Sequence, residues 1–575
     1  MAGLVQELRG GGGRAGAPQI PPGFPARYLL HMPSYSWQYL GYNMRPLMES
    51  LCAVLVALAP RLREPVPHLD PEHGWPSTVT SGGGGGGGVI TLGVVLEKGA
   101  NRSPHRLLEG VLAGLDRSRF RVVAFAHGPA ASLPPPARAV LAAADRAEVL
   151  PWDPGAEGVP DTWGARRVIA EARVDVLLYM ALGNTLGSHL LAQGRLAPVQ
   201  ASFGHGHPVT AGTAAVDYFL SSSLFETPAG DRARRTGRSA RAGTTVGGVQ
   251  GQDDKRLEAA VAPAAATAAT AEVFILVANG SEGGSYEYSH WQGHGEDGSG
   301  RLAGGQALGA GGGRGDGAQE FTEQLVLFDS LSTCFPAVER PSAQEVAAAV
   351  AEVGGGGGSF GGGGGSGGGG VEDGGGGGGG QDAHLYHLMQ HSKKLHPDMD
   401  GVLRGVLATD PQAHVLLLEG SKVHLPRWRR TLGPELTRRL VFVPYRPHRD
   451  MLALVAACHV MLDSFPWGAG VTVFEALSLG IPVVTLPSRV SVLQLATGQA
   501  VQLGLEEHLV ARNDSDMVTK AVRLATCGPH RANVSEEILR RRSRLFEQRD
   551  AVVTEWEGFL ERAVRLGLGA VAAAA

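Results

Sequence analysis

The sequence predicts an α/β protein with two Rossmann-like lobes that face a cleft, and three features carry this prediction. Short apolar strands alternate with amphipathic helices over residues 89–228, and the same alternation returns over residues 382–535. Such alternation is typical of mostly parallel sheets that helices cover on their faces. Glycine-rich tracts separate the two regions, and a charged amphipathic helix is predicted over residues 536–566.

The first region is preceded by an apolar helical stretch at 47–62 and has clear periodicity of its own. Its predicted elements are strands at 89–96, 121–126, 174–179 and 199–203, with helices at 104–115, 162–172 and 188–192. The second region has predicted strands at 414–418, 440–443, 459–462 and 483–486, with helices after Pro397, at 449–457 and from Val471.

The segment 462–487, LDSFPWGAGVTVFEALSLGIPVVTLP, contains a compact strand–turn–helix unit. A strand ends at Asp463, the turn Gly468-Ala469-Gly470 follows, and a helix opens at Val471 with Glu475 one turn later. Glycine lets the backbone approach a ligand closely, and a helix N-terminus offers free N–H groups to phosphate. An ordinary turn of a doubly wound domain has the same pattern, so spacing alone leaves both interpretations open.

Composition limits the classes of partner. The chain has 575 residues, enough for two or three domains, and a net charge of −4, so no nucleic-acid partner is predicted. Of its 85 glycines, 28 lie in homopolymer runs at 82–88 and within 354–380, which cannot form a core. The arginine-rich run at 232–241 fits a nuclear-localisation or nucleic-acid patch, but a solvated linker is favoured because no aromatic or folded context accompanies it.

The compartment is predicted from what the sequence lacks. Four scattered cysteines form no CxxC pair, a pattern of reducing compartments without disulfides or zinc. The first residues have no apolar core of a signal peptide, and no run of about 20 apolar residues is present. We therefore expect no membrane association and a cytoplasmic or nuclear location.

These features give a predicted domain organisation. In chain order it comprises disordered residues 1–27, a helical segment and linker 28–88, an N-terminal Rossmann-like lobe 89–228, a low-complexity insertion 229–318, a return segment 319–336, a Gly-rich linker 337–381, a C-terminal Rossmann-like lobe 382–535 and a C-terminal helix 536–575.

Several segments, taken in order, resemble the catalytic region of one enzyme family. They are RLAPVQASFGHGHPVTAGTAAVDYFLSS at 195–222, QEFTEQLVLFDSLST at 319–333, QHSKKLHPD at 390–398 and VFVPYRPHRDMLALVAACHVMLDSFPWGAGVT at 441–472, with PHRLLEGVLAGLDRSRFRVV at 104–123 as a first βα unit. Together they resemble the O-GlcNAc transferase / SPINDLY family of glycosyltransferases, which have the GT-B fold.

The resemblance implies an activity. Members transfer a sugar from a nucleotide-sugar donor to Ser or Thr hydroxyls of proteins, with inversion and without a metal, and no Asp-x-Asp segment stands beside the nucleotide turn here. No cofactor is implied beyond the donor, with UDP-GlcNAc as the default and GDP-fucose or UDP-glucose as alternatives. No tetratricopeptide repeat is found, so target choice is expected to depend on the N-terminal segment, the insertions or a partner.

The resemblance also identifies the C-terminal lobe, 382–535, as the nucleotide-sugar-binding lobe and implies roles for a set of its residues. Lys394 matches a lysine that contacts the donor diphosphate, although a surface lysine beside Lys393 would look the same. Gln390 is implied to hydrogen-bond a phosphate or the base, and Glu475 the ribose. The turn with Gly468 is implied to bind phosphate, together with Gly470, Val471 and Thr472, which stand where relatives have His-Thr-Thr. Arg446 lies in the loop that meets the base. Glu475 is equally explained as an acid that complements the helix dipole.

Two histidines of the first lobe are candidate catalytic groups. His207 lies in the GHP segment and either positions the acceptor or sugar or caps its loop. Arg102 occupies the place where many relatives have a histidine, and a guanidinium cannot act as a base. His105 is the predicted substitute. In the loop after the strand at 174–179, many relatives have acidic residues, whereas this chain reads MALGN at 180–184.

Three functions follow. The first is an active protein O-glycosyltransferase. The second is a catalytically weak nucleotide-sugar-binding or scaffold protein of the same fold, and the third is a GT-B enzyme acting on a saccharide or lipid. The GHP-VTAG segment favours protein modification over the third.

Overall fold

The computed structural model describes residues 37–69, 88–96, 103–128, 130–153, 159–206, 209–226, 320–354, 383–487 and 494–574. The predicted disordered tract 1–27 and the predicted low-complexity insertion 229–318 lie wholly outside these ranges. So do the glycine run at 82–87 and most of the predicted linker at 337–381.

The strands are β1 Ile90–Leu96, β2 Phe120–His127, β3 Arg146–Leu150, β4 Trp152–Asp153, β5 Val159–Pro160, β6 Val176–Tyr179, β7 Val199–Phe203, β8 Tyr218–Ser222, β9 Gln324–Phe328, β10 His384–His387, β11 Ala413–Leu418, β12 Leu440–Val443, β13 Val460–Leu462 and β14 Val483–Val484. Strands β6, β12, β13 and β14 are apolar along their whole length, as expected for parallel strands that helices cover on both faces.

The α-helices are α1 Arg45–Leu58, α2 Ser103–Gly114, α3 Pro135–Ala143, α4 Thr162–Ala172, α5 Leu186–Leu191, α6 Ser223–Glu226, α7 Ala343–Gly354, α8 Met399–Thr409, α9 Leu425–Thr431, α10 Pro434–Thr437, α11 His448–Ala457, α12 Val471–Ser478, α13 Leu495–Leu503, α14 Glu506–Leu509, α15 Asp514–Thr526, α16 Gly528–Arg541, α17 Ser543–Phe546 and α18 Arg549–Ala574. No helix of the described ranges is both long and apolar enough to cross a bilayer.

Two parallel sheets organise these elements. A seven-stranded sheet, in the order β3-β2-β1-β6-β7-β8-β9, forms the first lobe, and a five-stranded sheet, β12-β11-β10-β13-β14, forms the second. The predicted α/β class is confirmed. In each sheet the strand order reverses once, between β1 and β6 and between β10 and β13, and ligands of such sheets bind beyond the carboxyl ends of the strands at this reversal.

The first lobe is completed by segments that are distant in sequence. Strand β9 pairs with β8, and α1 packs its Met48 and Cys52 against the lobe. Close packing explains Gly212, whose φ is 70° and where a Cβ would lie 2.5 Å from the carbonyl carbon of Met48. Helix α1 ends at Leu58, two residues before Pro60, rather than at 62 as its apolar pattern predicts.

The predicted linker at 337–381 is wrong at its start, because α7 occupies residues 343–354. Ser342 and Glu345 form a capping box, in which the Glu345 N–H donates to Ser342 Oγ (3.2 Å) and the Ser342 N–H donates to Glu345 Oε2 (2.7 Å). Arg449 of α11 also donates to Glu345 Oε1 (2.7 Å), which ties α7 to the second lobe. The S-x-x-E pattern was the sequence signal for this helix.

The single C-terminal helix predicted from 536 is also wrong in its first part. The chain forms α16, α17 and α18, and the breaks redirect it from one lobe to the other. Leu539 of α16 lies against Gly480 of the second lobe. Trp556 of α18 instead donates its indole N–H to the Ser332 carbonyl (3.0 Å), and Phe559 packs edge-on against Tyr218 of the first lobe (5.4 Å between centroids).

Candidate nucleotide-sugar site

The predicted donor residues come together at the strand reversal of the second lobe. The chain leaves β10 at His387 and passes through Gln390 to a 3-10 turn, Ser392–Lys394. It leaves β13 at Leu462, continues through the glycine turn and enters α12. Both strands run parallel and neighbour each other, so their following loops meet at one edge of the sheet.

A buried carboxylate shapes the glycine turn. Asp463 is 2% exposed, accepts from the Ala469 N–H through Oδ1 (2.7 Å) and accepts from the Thr485 hydroxyl through Oδ2 (2.8 Å). Burial raises the pKa of Asp463 to about 6, although these hydrogen bonds and the nearby Lys394 charge oppose that rise. Sequence reasoning identified Asp463 only as the end of a strand.

Lys394 lies across the mouth of this turn. Its ammonium donates to the Gly468 carbonyl (3.1 Å) and stands 5.9 Å from the ring centroid of Trp467. Burial lowers the pKa of Lys394 to about 8, and the charge of Asp463 limits the fall. A cation bonded to a neutral carbonyl retains N–H donors for an anion bound at the turn.

The start of α12 supplies further donors. Gly470 is its N-cap and provides no capping side chain, so the N–H groups of Val471 and Thr472 remain available to a ligand. The Gln390 amide donates to Thr472 Oγ1 (3.0 Å), which leaves the threonine O–H to point elsewhere. The Gln499 amide donates to the Gly470 carbonyl (3.2 Å) and supports the turn from α13.

Glu475 is held by an arginine and a histidine from different parts of the chain. Its Oε1 accepts from Arg106 Nη1 of α2 (2.6 Å) and lies 2.7 Å from His448 Nε2 of α11. Burial by itself would raise the pKa of Glu475, but the His448 hydrogen bond and the Arg106 charge hold it below its usual range. Sequence reasoning missed both partners, because neither lies near Glu475 in the chain.

Arg446 is directed toward the connection between the lobes. It forms an ion pair with Glu352 of α7, and only 14% of its side chain is exposed. The contact between the backbone of this loop and the base, which the resemblance implies, stays a prediction.

The structure does not support His105 as a base. His105 lies on the buried face of α2 with 1% of its surface exposed, so an acceptor hydroxyl cannot reach its ring. His207 lies outside the described residues. Nearby His205 is buried against Phe203 and Phe225, and burial lowers its pKa to about 3.

Two of the resembling segments meet at a buried glutamate. Glu323, 6% exposed, accepts from the Thr210 hydroxyl (2.5 Å), the Ala211 N–H (2.7 Å) and the Thr322 N–H (3.1 Å). The return segment therefore fixes the loop that follows His207. Thr210 itself is buried, so its hydroxyl serves this loop instead of facing a ligand. The sequence signal for this buried contact was a single acidic residue, Glu323, directly before the apolar strand β9.

Metal binding was predicted to be absent. Within the part of the chain that the structure describes, no three His, Cys, Asp or Glu side chains converge in a way that would hold a metal ion. Independence from metal stays a prediction.

The fold and the position of this site define the class of protein: two Rossmann-like lobes with the GT-B architecture of glycosyltransferases. The chain superposes on the O-GlcNAc transferase of Thermobaculum terrenum, solved as a variant with one lysine replaced by methionine. The TM-score is 0.56 at 18% identity, over 94% of this chain and 78% of that one.

Sequence comparison gives shorter matches. Two proteins described as probable UDP-N-acetylglucosamine--peptide N-acetylglucosaminyltransferase SPINDLY are each 32% identical to this chain. The protein from Eustoma exaltatum subsp. russellianum matches over 95 residues, which are 16% of this chain and 10% of that protein. The protein from Solanum lycopersicum matches over 79 residues, which are 14% of this chain and 8% of that protein. The match thus spans about a tenth of these relatives. No protein-family model matches the chain. The resemblance to the O-GlcNAc transferase / SPINDLY family is confirmed.

Proposed function

We propose that this protein transfers a sugar from a nucleotide-sugar donor to Ser or Thr hydroxyls of acceptor proteins, with inversion and without a metal. UDP-GlcNAc is the default donor, and UDP-glucose and GDP-fucose are the alternatives. The observation that carries the proposal is the Lys394 ammonium at the Gly468 carbonyl, directly before the open start of α12. The four cysteines are free thiols, which agrees with acceptors in the cytoplasm or nucleus.

The site has the donors that a leaving diphosphate requires. Transfer breaks the bond between the anomeric carbon and a phosphate oxygen, and negative charge grows on that oxygen. Lys394 and the N–H groups of Val471 and Thr472 are fixed before the reaction, so they stabilise this charge with little reorganisation. Glu475 accepts hydrogen bonds from the ribose, and the loop of Arg446 borders the base.

Inversion requires the acceptor oxygen to attack opposite the leaving phosphate. The hydroxyl proton must then pass to a base or to water. The burial of His105 leaves this role to a group other than that imidazole. His207 remains the candidate from the sequence for positioning the acceptor or the sugar.

The deciding experiment offers the three donors separately to purified protein in the presence of EDTA. Release of UDP or GDP is followed with and without a Ser/Thr-rich peptide, and sugar on the peptide is detected by mass spectrometry. Peptide-dependent release from one donor is the expected result. Release that occurs only after a divalent metal is added would contradict the metal-free mechanism.

The second candidate is a protein that binds nucleotide-sugars with little or no turnover. The burial of His105 favours it, because the substitute base that the sequence suggested is inaccessible. Tight UDP or GDP binding without release from any donor would support this candidate over the first.

Donor affinity is predicted to weaken as the pH rises above 7. Burial lowers the pKa of Lys394 to about 8, and the diphosphate binds the ammonium form. The protonated fraction falls from about 0.9 at pH 7 to about 0.25 at pH 8.5, so the apparent Kd should rise about fourfold. Calorimetric titration with the accepted nucleotide at both values measures this.

The matched variant is Lys394→Arg, whose guanidinium stays charged over the whole range. Its affinity should change little between pH 7 and pH 8.5. An equal weakening in both proteins would show that a group other than Lys394 titrates.

A further inference from the structure

We propose that Arg106, in the first lobe, is a positioning residue for the nucleotide ribose: together with His448 it holds one oxygen of Glu475 and leaves the other to accept from a ribose hydroxyl. The inference rests on the proposed function and deepens it. It makes recognition of the nucleotide in the second lobe depend on a side chain of the first.

The two oxygens of Glu475 differ in their surroundings. Arg106 Nη1 and His448 Nε2 both lie against Oε1, at 2.6 and 2.7 Å. No contact within the described ranges involves Oε2, and Oε2 is not among their buried unpartnered atoms. The Glu475 side chain is 9% exposed as a whole, and Oε2 is its accessible oxygen.

Arg106 is fixed by packing as well as by charge. Its guanidinium carbon lies 4.7 Å from the ring centroid of Phe335, and Phe335 stacks on Phe474 at 5.0 Å. Phe474 is the neighbour of Glu475 on α12. The arginine thus reaches the acid from a rigid apolar surface, and only 23% of its side chain is exposed.

Fixing one oxygen sets the direction of the other. A carboxylate that accepts from a guanidinium and an imidazole through one oxygen keeps one rotamer, and the Arg106 charge favours its ionised form. Its Oε2 then presents lone pairs to a donor at a constant position, and the donors that a nucleotide offers beside its phosphates are the ribose hydroxyls. Without Arg106, Glu475 can rotate toward His448 or water, and the hydrogen bond to ribose loses its preorganisation.

A purely structural ion pair between the lobes predicts a different outcome. Its loss would loosen the site as a whole and weaken every nucleotide to the same degree. A positioning role affects only ligands that carry the ribose hydroxyl, so discrimination between ribose and deoxyribose separates the two explanations.

The experiment measures the binding of UDP and GDP, each beside its 2′-deoxy and 3′-deoxy analogues, by calorimetry. The natural protein should prefer the ribonucleotide over at least one deoxy analogue by about tenfold, as expected for one hydrogen bond to a charged acceptor. Arg106→Met should lose most of this preference and bind that deoxy analogue within about twofold of the natural protein. Arg106→Lys should restore part of the preference.

Arg119→Met is the matched control, since it removes another arginine of the first lobe that pairs with Glu557 and Glu561 of α18. It should retain the full ribose preference. If Arg106→Met does not fold, as judged by its thermal melt, Arg106→Gln replaces it in the same titrations.

The outcomes separate this inference from the proposed function. Absence of UDP and GDP binding in the natural protein would overturn both. Binding with an unchanged ribose preference in Arg106→Met would overturn only the positioning role, and so would equal weakening of all six ligands. Binding without any ribose preference in the natural protein would remove the role of Glu475 and with it that of Arg106.

Discussion

Replacing Lys394 with methionine is expected to lower the kcat of sugar transfer by at least about 10²-fold, the usual effect of removing a fixed donor to a developing anion. Methionine retains an unbranched apolar side chain against Trp467, so packing of the turn changes little. What is lost is the positive charge at Gly468, where the leaving diphosphate gathers negative charge. Steady-state kinetics with the accepted donor measures kcat and KM.

Lys393→Met is the control, because it removes the neighbouring lysine of the same 3-10 turn. We expect it to stay within a few-fold of the natural kcat. Equal losses in the two variants would indicate that general positive charge near the site matters, and would remove the specific role of Lys394.

Replacing Glu323 with alanine is expected to lower the free energy of unfolding by about 2 kcal/mol. The change removes the acceptor of the Ala211 N–H and the carboxylate partner of the Thr210 hydroxyl, at roughly 1 kcal/mol each, whereas the Thr322 N–H keeps Thr210 Oγ1 as an acceptor (2.9 Å). Equilibrium denaturation with urea measures the difference. The loop after His207 loses its support, so transfer should fall even where the variant is fully folded.

Two comparison variants sharpen the test of Glu323. Glu323→Gln keeps a carbonyl acceptor and should be intermediate. Glu435→Ala removes an acid whose side chain is 76% exposed, and its stability should be nearly unchanged. If Glu323→Ala proved as stable as Glu435→Ala, the buried network would not hold this loop.

Local elements were predictable where a single physical signal dominates. The strands predicted at 199–203 and 440–443 match β7 and β12. β12, LVFV, is a short apolar run of the kind typical of buried parallel strands, and β7, VQASF, is bounded by Pro198 and Gly204. The helix at 162–172 matches α4, whose start is set by the Asp161 side chain that accepts from the Gly164 N–H (3.0 Å).

Contacts between residues that are distant in the chain could not be predicted from the sequence. Arg106 and Glu475 are 369 positions apart, and Thr210 and Glu323 are 113 apart, so neither pair leaves a local pattern. The glycine turn, Lys394 and Glu475 were identified from motif and resemblance, but Asp463 and His448 required the sheet order that brings their loops together. Burial, which excludes His105, is likewise a property of the fold.

The return of α18 to the first lobe has a consequence for biosynthesis. N-terminal domains commonly fold while the ribosome is still translating the rest of the chain. Here Trp556 and Phe559 must be synthesised before they can cover Phe328 and Tyr218. At ordinary elongation rates this delay is tens of seconds. The nascent first lobe therefore presents an apolar sheet surface to chaperones until α18 has been synthesised.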